Sequence, residues 1–266
     1  MDDRWFGLGD RGRYPTKEKK MNRILVILLL VTTISCSAPN VPQPEKQSET
    51  GTRSEVQPAE TKLPRVLIIG DSISRGFTPH VVQQLNGEAD VKHHEGNAKH
   101  TGIGLKNLDQ WICETKWDAI HFNWGLWDLC YRHPESKTQG KRDKVNGTLT
   151  TTLEQYEKNL DILVARLKKT DAKLIWAHTT VVPEQEAGRI RGDDVKYNEA
   201  AARVMKKHGI PINDLHTLTK TFAGDQFDGP GNVHYTQEGY QRIGQQVTDH
   251  ILKILEAEQQ GPVDKE

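Results

Sequence analysis

Between residues 63 and 255 the chain alternates short, unbroken apolar runs with longer segments whose apolar residues recur every three or four positions. A run such as Arg65-Val-Leu-Ile-Ile-Gly70 has no polar face, so as a strand it must be covered on both sides. Strands are expected at 65–70, 89–93, 119–124 and 173–177, with 210–212 as a short edge strand. Helices are expected at 74–85 (its start delayed by Pro79), 105–114, 153–167, 195–207 (ended by Gly209) and 236–255 (opened by Thr236). The clearest is 153–167, where Leu153, Tyr156, Leu160, Leu163, Val164 and Leu167 share one face. Parallel strands need crossover helices, so this order predicts an α/β fold with a mainly parallel five-stranded sheet covered on both faces. Ligands of such sheets collect beyond the carboxyl ends of the strands. The loops after Gly70, His93, Trp124 and Ala177, and the segment before Thr236, are therefore the places for chemistry.

The first 62 residues follow other rules. Residues 24–31 are an eight-residue apolar run, preceded by Lys17, Lys19, Lys20 and Arg23 and followed by Ser35, Cys36 and Ser37. A basic stretch, a short apolar run and small residues at its end describe an export signal; the run falls short of the ~20 residues of a spanning helix. Thr33-Ile34-Ser35-Cys36 resembles a bacterial lipobox, with Thr33 where leucine is usual. That resemblance implies lipidation of Cys36, a membrane anchor and a cell-envelope, periplasmic location; the alternative is an ordinary signal with an incidental cysteine. Met21 then reads as the biological start. Residues 36–62, rich in Pro, Ser, Gln, Glu and Thr, are expected to be a disordered tether. The expected organisation is an extension and signal at 1–35, the tether at 36–62, a folded domain at 63–258 and a tail at 259–266.

Charge excludes a class of partner. Of 36 basic and 36 acidic groups, seven and four respectively precede Cys36, leaving 29 and 32 and a net charge of −3. Attraction to nucleic acid is not expected from that balance. Three cysteines are too few for a disulfide framework; whether Cys113 and Cys130 pair stays open. His93, His94, His100 and His121 lack metal-site spacing and read as surface or packed histidines.

Two loops carry the strongest chemical signal. Gly70-Asp71-Ser72-Ile73-Ser74 puts a serine at a strand-to-helix turn, where backbone N–H groups face a developing oxyanion. Val233-His234-Tyr235-Thr236 supplies a histidine just before the last helix, the kind of base a serine nucleophile needs. Each alone reads more simply as a helix cap or a loop histidine; together, at the two ends of one domain, they read as a nucleophile and its base.

This pair of segments resembles the SGNH (GDSL) hydrolase family over essentially all of residues 63–255. Gly70-Asp71-Ser72-Ile73-Ser74 looks like the family's first block, and His234 through Gly239 fits its last. The resemblance implies a flavodoxin-like three-layer α/β/α sandwich, Ser72 as nucleophile, His234 as base, no cofactor and no metal. It also implies ester hydrolysis, often deacetylation of carbohydrates. A small ester or an O-acetylated glycan is the expected substrate. Trp124, Trp127 and Trp176, at or near strand ends, read either as aromatic platforms for its sugar rings or as core packing. Three positions depart from the pattern. Lys99 stands where the second block has a glycine whose N–H helps hold the oxyanion, and its own backbone N–H is expected to do the same. Trp127 stands at the asparagine of the third block, leaving its indole N–H or Asn123 as the further donor beside the Ser72 N–H. Gly231 stands where an aspartate precedes the histidine by three residues, leaving Asp228, Asn232 or a backbone carbonyl to orient His234; Asp228 completes the expected triad. Arg189, Arg191 and Asp193 lie in a glycine-containing loop that reads as solvated, the alternative being a lid. An acyltransferase of the same fold, and a non-catalytic carbohydrate-binding lipoprotein, are the alternative functions.

Overall fold

The structure, a computed structural model, describes residues 62–113 and 115–259. The expected export signal, the lipidation site Cys36, nearly all of the tether, and all of the tail but its first residue lie outside the described residues.

Five parallel strands, β1 (Arg65–Ile69), β2 (Asp90–His93), β3 (Ala119–Phe122), β6 (Lys173–Ala177) and β7 (Ile212–Asn213), form one sheet in the order β2-β1-β3-β6-β7. The central strands are apolar on both faces because both are covered: Val66, Ile68, Ile69, Ile120, Phe122 and Trp176 are fully buried. Helices α1 (Ser72–Gln84), α5 (Leu215–Lys220) and α6 (Gln237–Gln259) pack together, and α2 (Thr101–Ile112), α3 (Leu153–Leu167) and α4 (Asp193–His208) pack in succession on one another. The result is the expected three-layer α/β fold. β2 pairs on one side of β1 and β3 on the other, so the chain reverses direction across the sheet at β1. Strand order of this kind opens a crevice at the carboxyl end of β1, where α1 begins.

The start of α1 is set by Asp71, whose carboxylate accepts the Ile73 N–H at 2.9 Å. Pro79 lies inside α1 rather than delaying it. α1 and α6 cross closely at Gly76 and Gly244: a Cβ at Gly76 would lie 2.2 Å from the Tyr240 ring, and one at Gly244 2.8 Å from His80 Cβ. This approach ties the helix after Ser72 to the helix after His234.

Two features went unread in the sequence. The excursion between β3 and α3 carries a two-stranded antiparallel sheet, β4 (Tyr131–Arg132) with β5 (Thr148–Leu149), and α5 is a further short helix. These pieces are too short to show a hydrophobic period. Cys113 is exposed, Cys130 buried, and both are free thiols.

Candidate active site

The first and last loops of the domain converge. The Ser72 Oγ lies 2.8 Å from Nε2 of His234. Ser72 is the first residue of α1, so its hydroxyl sits at the helix's positive end. His234 is held between two buried anchors, Val233 and Tyr235, and its carbonyl accepts the Asp228 N–H at 2.9 Å.

Asn232 fixes the imidazole. Its Nδ2 donates to the Asp228 carbonyl at 2.7 Å and to Asp228 Oδ2 at 3.2 Å, so its Oδ1 must face His234. That Oδ1 accepts the His234 backbone N–H at 3.1 Å and lies 2.8 Å from Nδ1. Nδ1 therefore carries the proton, and the Nε2 lone pair points at the Ser72 hydroxyl. Asp228, expected beside the imidazole, stands behind Asn232 instead and reaches the ring through it. The loop geometry gives the reason. Gly231 has φ +66, and a Cβ there would meet the Gln185 carbonyl oxygen at 2.6 Å, so an acidic side chain has no room where the family pattern has one.

Burial lowers the His234 pKa below the ordinary histidine value. Asp71 opposes this, Arg189 and Arg142 reinforce it, and Asp228 opposes it again. At neutral pH the imidazole is thus a free base. Burial raises the Asp71 pKa, against the Ile73 N–H and the Arg189 charge, which hold it down.

The expected oxyanion donors divide. No partner claims the Ser72 N–H among the described residues. The Lys99 N–H is taken: it donates to Asn97 Oδ1 at 2.8 Å, in a turn that puts Lys99 at φ +50, a backbone glycine would adopt more easily. Asn123 is also committed, its Nδ2 donating to the Ala177 carbonyl at 2.7 Å across to the neighbouring strand, and it borders a small cavity shared with Ser74 and His178, not the cleft. Trp127 does border the cleft, as does Asn97, which sequence reasoning passed over. With its Oδ1 held by Lys99, the Asn97 Nδ2 is left free to donate.

The cleft around Ser72 and His234 encloses about 390 Å³. Four arginines, Arg75, Arg132, Arg142 and Arg189, form much of its wall. Sequence reasoning left out Arg75, Arg132 and Arg142, and it read Arg189 as part of a solvated loop. Arg189 is only 4% exposed, donating to the Leu126 carbonyl at 2.6 Å and to Glu186 Oε1 at 2.8 Å. Arg191 does remain exposed, paired with Glu184. For Arg132 and Arg142 the sequence signal was a basic stretch, Arg132, Lys137, Lys141 and Arg142 within eleven residues that hold one acid, Glu135. Trp124 and Trp176 are buried in the core and offer no platform.

Residues 68–242 match the GDSL-like lipase/acylhydrolase family. A search of curated proteins finds no match. Among solved structures, a lipase/acylhydrolase of Enterococcus faecalis superposes with a TM-score of 0.58 at 19% identity, covering 71% of this chain and 95% of that one. An acetyl xylan esterase gives 0.57 at 13% identity, covering 70% and 99%. An acetyl xylan esterase of Geobacillus stearothermophilus gives 0.55 at 15%, covering 71% and 94%. At these identities the structural likeness is one of fold.

Proposed function

Because the chain belongs to the GDSL-like lipase/acylhydrolase family and is an ester hydrolase, we propose that it cleaves acetyl esters on carbohydrate through an acyl-enzyme formed on Ser72. The observation that carries the mechanism is the 2.8 Å contact between Ser72 Oγ and an imidazole nitrogen whose lone pair faces it. The Ser72 oxygen attacks the ester carbonyl carbon while Nε2 of His234 takes its proton. The carbonyl oxygen gains the negative charge and meets the Ser72 N–H and the Asn97 Nδ2. The imidazolium, its positive charge supported by Asn232 with Asp228 behind, gives its proton to the leaving alcohol oxygen as the C–O bond breaks. Water then attacks the acyl-serine, its proton passing to Nε2, and collapse of the second tetrahedral intermediate returns a proton to Ser72 and frees the carboxylic acid.

Trp127 supports the carbohydrate reading, as an aromatic surface bordering the cleft. Exchange of Ser72→Ala is expected to abolish hydrolysis of p-nitrophenyl acetate and of an acetylated xylo-oligosaccharide. Mass spectrometry of quenched wild-type enzyme is expected to show one acetyl group, on Ser72. Wild-type rates from Ser72→Ala would refute the mechanism, and cleavage of the aryl ester without the glycan would refute the substrate. The sequence of residues 17–37 supports a cell-envelope location, with the chain tethered through a lipidated Cys36. Loss of fatty-acid labelling in Cys36→Ala tests that anchor.

A further inference from the structure

The charge in the cleft is out of keeping with that of the chain. Once the signal is removed the protein is expected to be net negative, yet of the described residues lining the cleft Asp71 is the sole acid, against four arginines. Asp71 is 3% exposed and spends its carboxylate on capping α1. Behind the wall lies Glu186, its side chain fully buried. It must serve two guanidiniums at once: Oε1 is 2.6 Å from Arg142 and 2.8 Å from Arg189. One carboxylate between two arginines leaves a positive charge over.

Arg132 adds a second. Its guanidinium lies 4.1 Å over the Trp127 ring, and one N–H donates to the Gly140 carbonyl. No carboxylate pairs with it among the described residues, and its Nε is buried without any hydrogen-bond partner. Burying a guanidinium donor unpaired is costly, and a cationic group held on an aromatic face beside a reactive serine is positioned to receive an anion. Arg75, one turn into α1 from Ser72, is exposed and likewise without an ion pair among the described residues. With Glu186 and Asp71 both set against the four arginines, the cleft still presents about two uncompensated positive charges around one nucleophile, in a recess where water screens them less than on an open surface.

We propose that the physiological substrate is an anionic ester, carrying a carboxylate or a phosphate within about one sugar ring of the scissile bond. The anion is received by Arg132 and Arg142, the first held in place on the Trp127 ring. This rests on the ester-hydrolase reading of the site and narrows its substrate. Arg142 and Arg189 lower the His234 pKa, so they are near enough for the imidazole to feel them. An anion bound among them offsets that field and strengthens the base once substrate is in place.

The test compares three mono-acetylated sugars: methyl glucoside, methyl glucuronide and glucose 6-phosphate. The expected result is a kcat/KM at least about tenfold higher for one or both anionic esters than for the neutral one, the size of one charge-assisted contact. The preference is expected to shrink as ionic strength rises from about 0.05 to 0.5 M. Arg132→Gln and Arg142→Gln are each expected to lower the anionic-to-neutral ratio about tenfold, mainly through KM, whereas Lys253→Gln on the far part of α6 leaves it alone. The two anionic arms tell whether carboxylate or phosphate is preferred. Binding to Ser72→Ala protein, measured by calorimetry, gives the same comparison without turnover. Ser72-dependent cleavage of all three sugars at equal efficiency, or equal binding of all three, would overturn the anionic assignment and leave the hydrolase reading standing. Cleavage of none of them, nor of p-nitrophenyl acetate, would bring down both.

Discussion

Exchange of Asn232→Ala separates the arrangement seen here from a conventional carboxylate triad. The substitution removes the acceptor 2.8 Å from Nδ1 of His234 and 3.1 Å from its backbone N–H. In the resting enzyme the Nδ1 bond joins two neutral groups; in the transition state the ring is an imidazolium and the same bond becomes charge-assisted. A bond of that kind is worth about 1.5–3 kcal/mol, and its loss converts to about 10- to 150-fold in rate at 1.36 kcal/mol per tenfold. Steady-state hydrolysis of p-nitrophenyl acetate at pH 7.5 or thereabouts is the assay, since His234 is then neutral. The expected outcome is a kcat reduced by that factor with KM little changed, because the interaction strengthens only as charge develops. Asp228→Asn is expected to cost only a few-fold, because its carboxylate acts through the Asn232 amide. A wild-type kcat for Asn232→Ala, or a larger loss for Asp228→Asn than for Asn232→Ala, would refute the placement of the amide as the direct orienter.

Three further outcomes follow from the same geometry. The acid limb of the kcat/KM–pH profile should fall below the ordinary histidine range, since burial lowers the His234 pKa; Arg142→Gln moves that limb up and Asp228→Asn moves it down, as read from the profile of each variant. Gly231→Asp, which restores the residue type of the family pattern, is expected to lower the melting temperature and not to raise kcat, because its Cβ would sit 2.6 Å from the Gln185 carbonyl oxygen in a left-handed backbone. Asp128 is fully buried against Thr101, and burial raises its pKa from 3.8 to about 7. The folded state therefore holds a proton that the unfolded chain gives up, so this group's contribution to stability falls as pH rises from about 4 to about 7 and is level above that. Asp128→Asn should flatten that part of the stability curve in urea titrations across the range.

The strands and long helices were legible because their signals are local. The helix at Leu153–Leu167 lies where its apolar face predicts it, and β6 where its unbroken run predicts it. Ser72 and His234 were legible for a related reason: a serine following a glycine-ended strand and a histidine opening the last helix occupy defined places in any doubly wound sheet. The excursion from Gly125 to Thr152 was not, since two-residue strands leave no period to read, and that stretch brings Arg132 and Arg142 to the cleft.

What the chain's own order of residues determined, then, is the layered sheet and the two ends of the hydroxyl–imidazole pair, because capping, periodicity and strand burial depend on neighbours in sequence. Which oxygen orients the histidine, and which N–H groups stay free for the oxyanion, only the tertiary structure decided. Asn123 was lost to the Ala177 carbonyl, the Lys99 N–H to Asn97, and the place beside Nδ1 to Asn232 once Gln185 closed the space over Gly231. A polar group's availability depends on what else comes within about 3 Å of it, and those competitors arrive from distant parts of the chain.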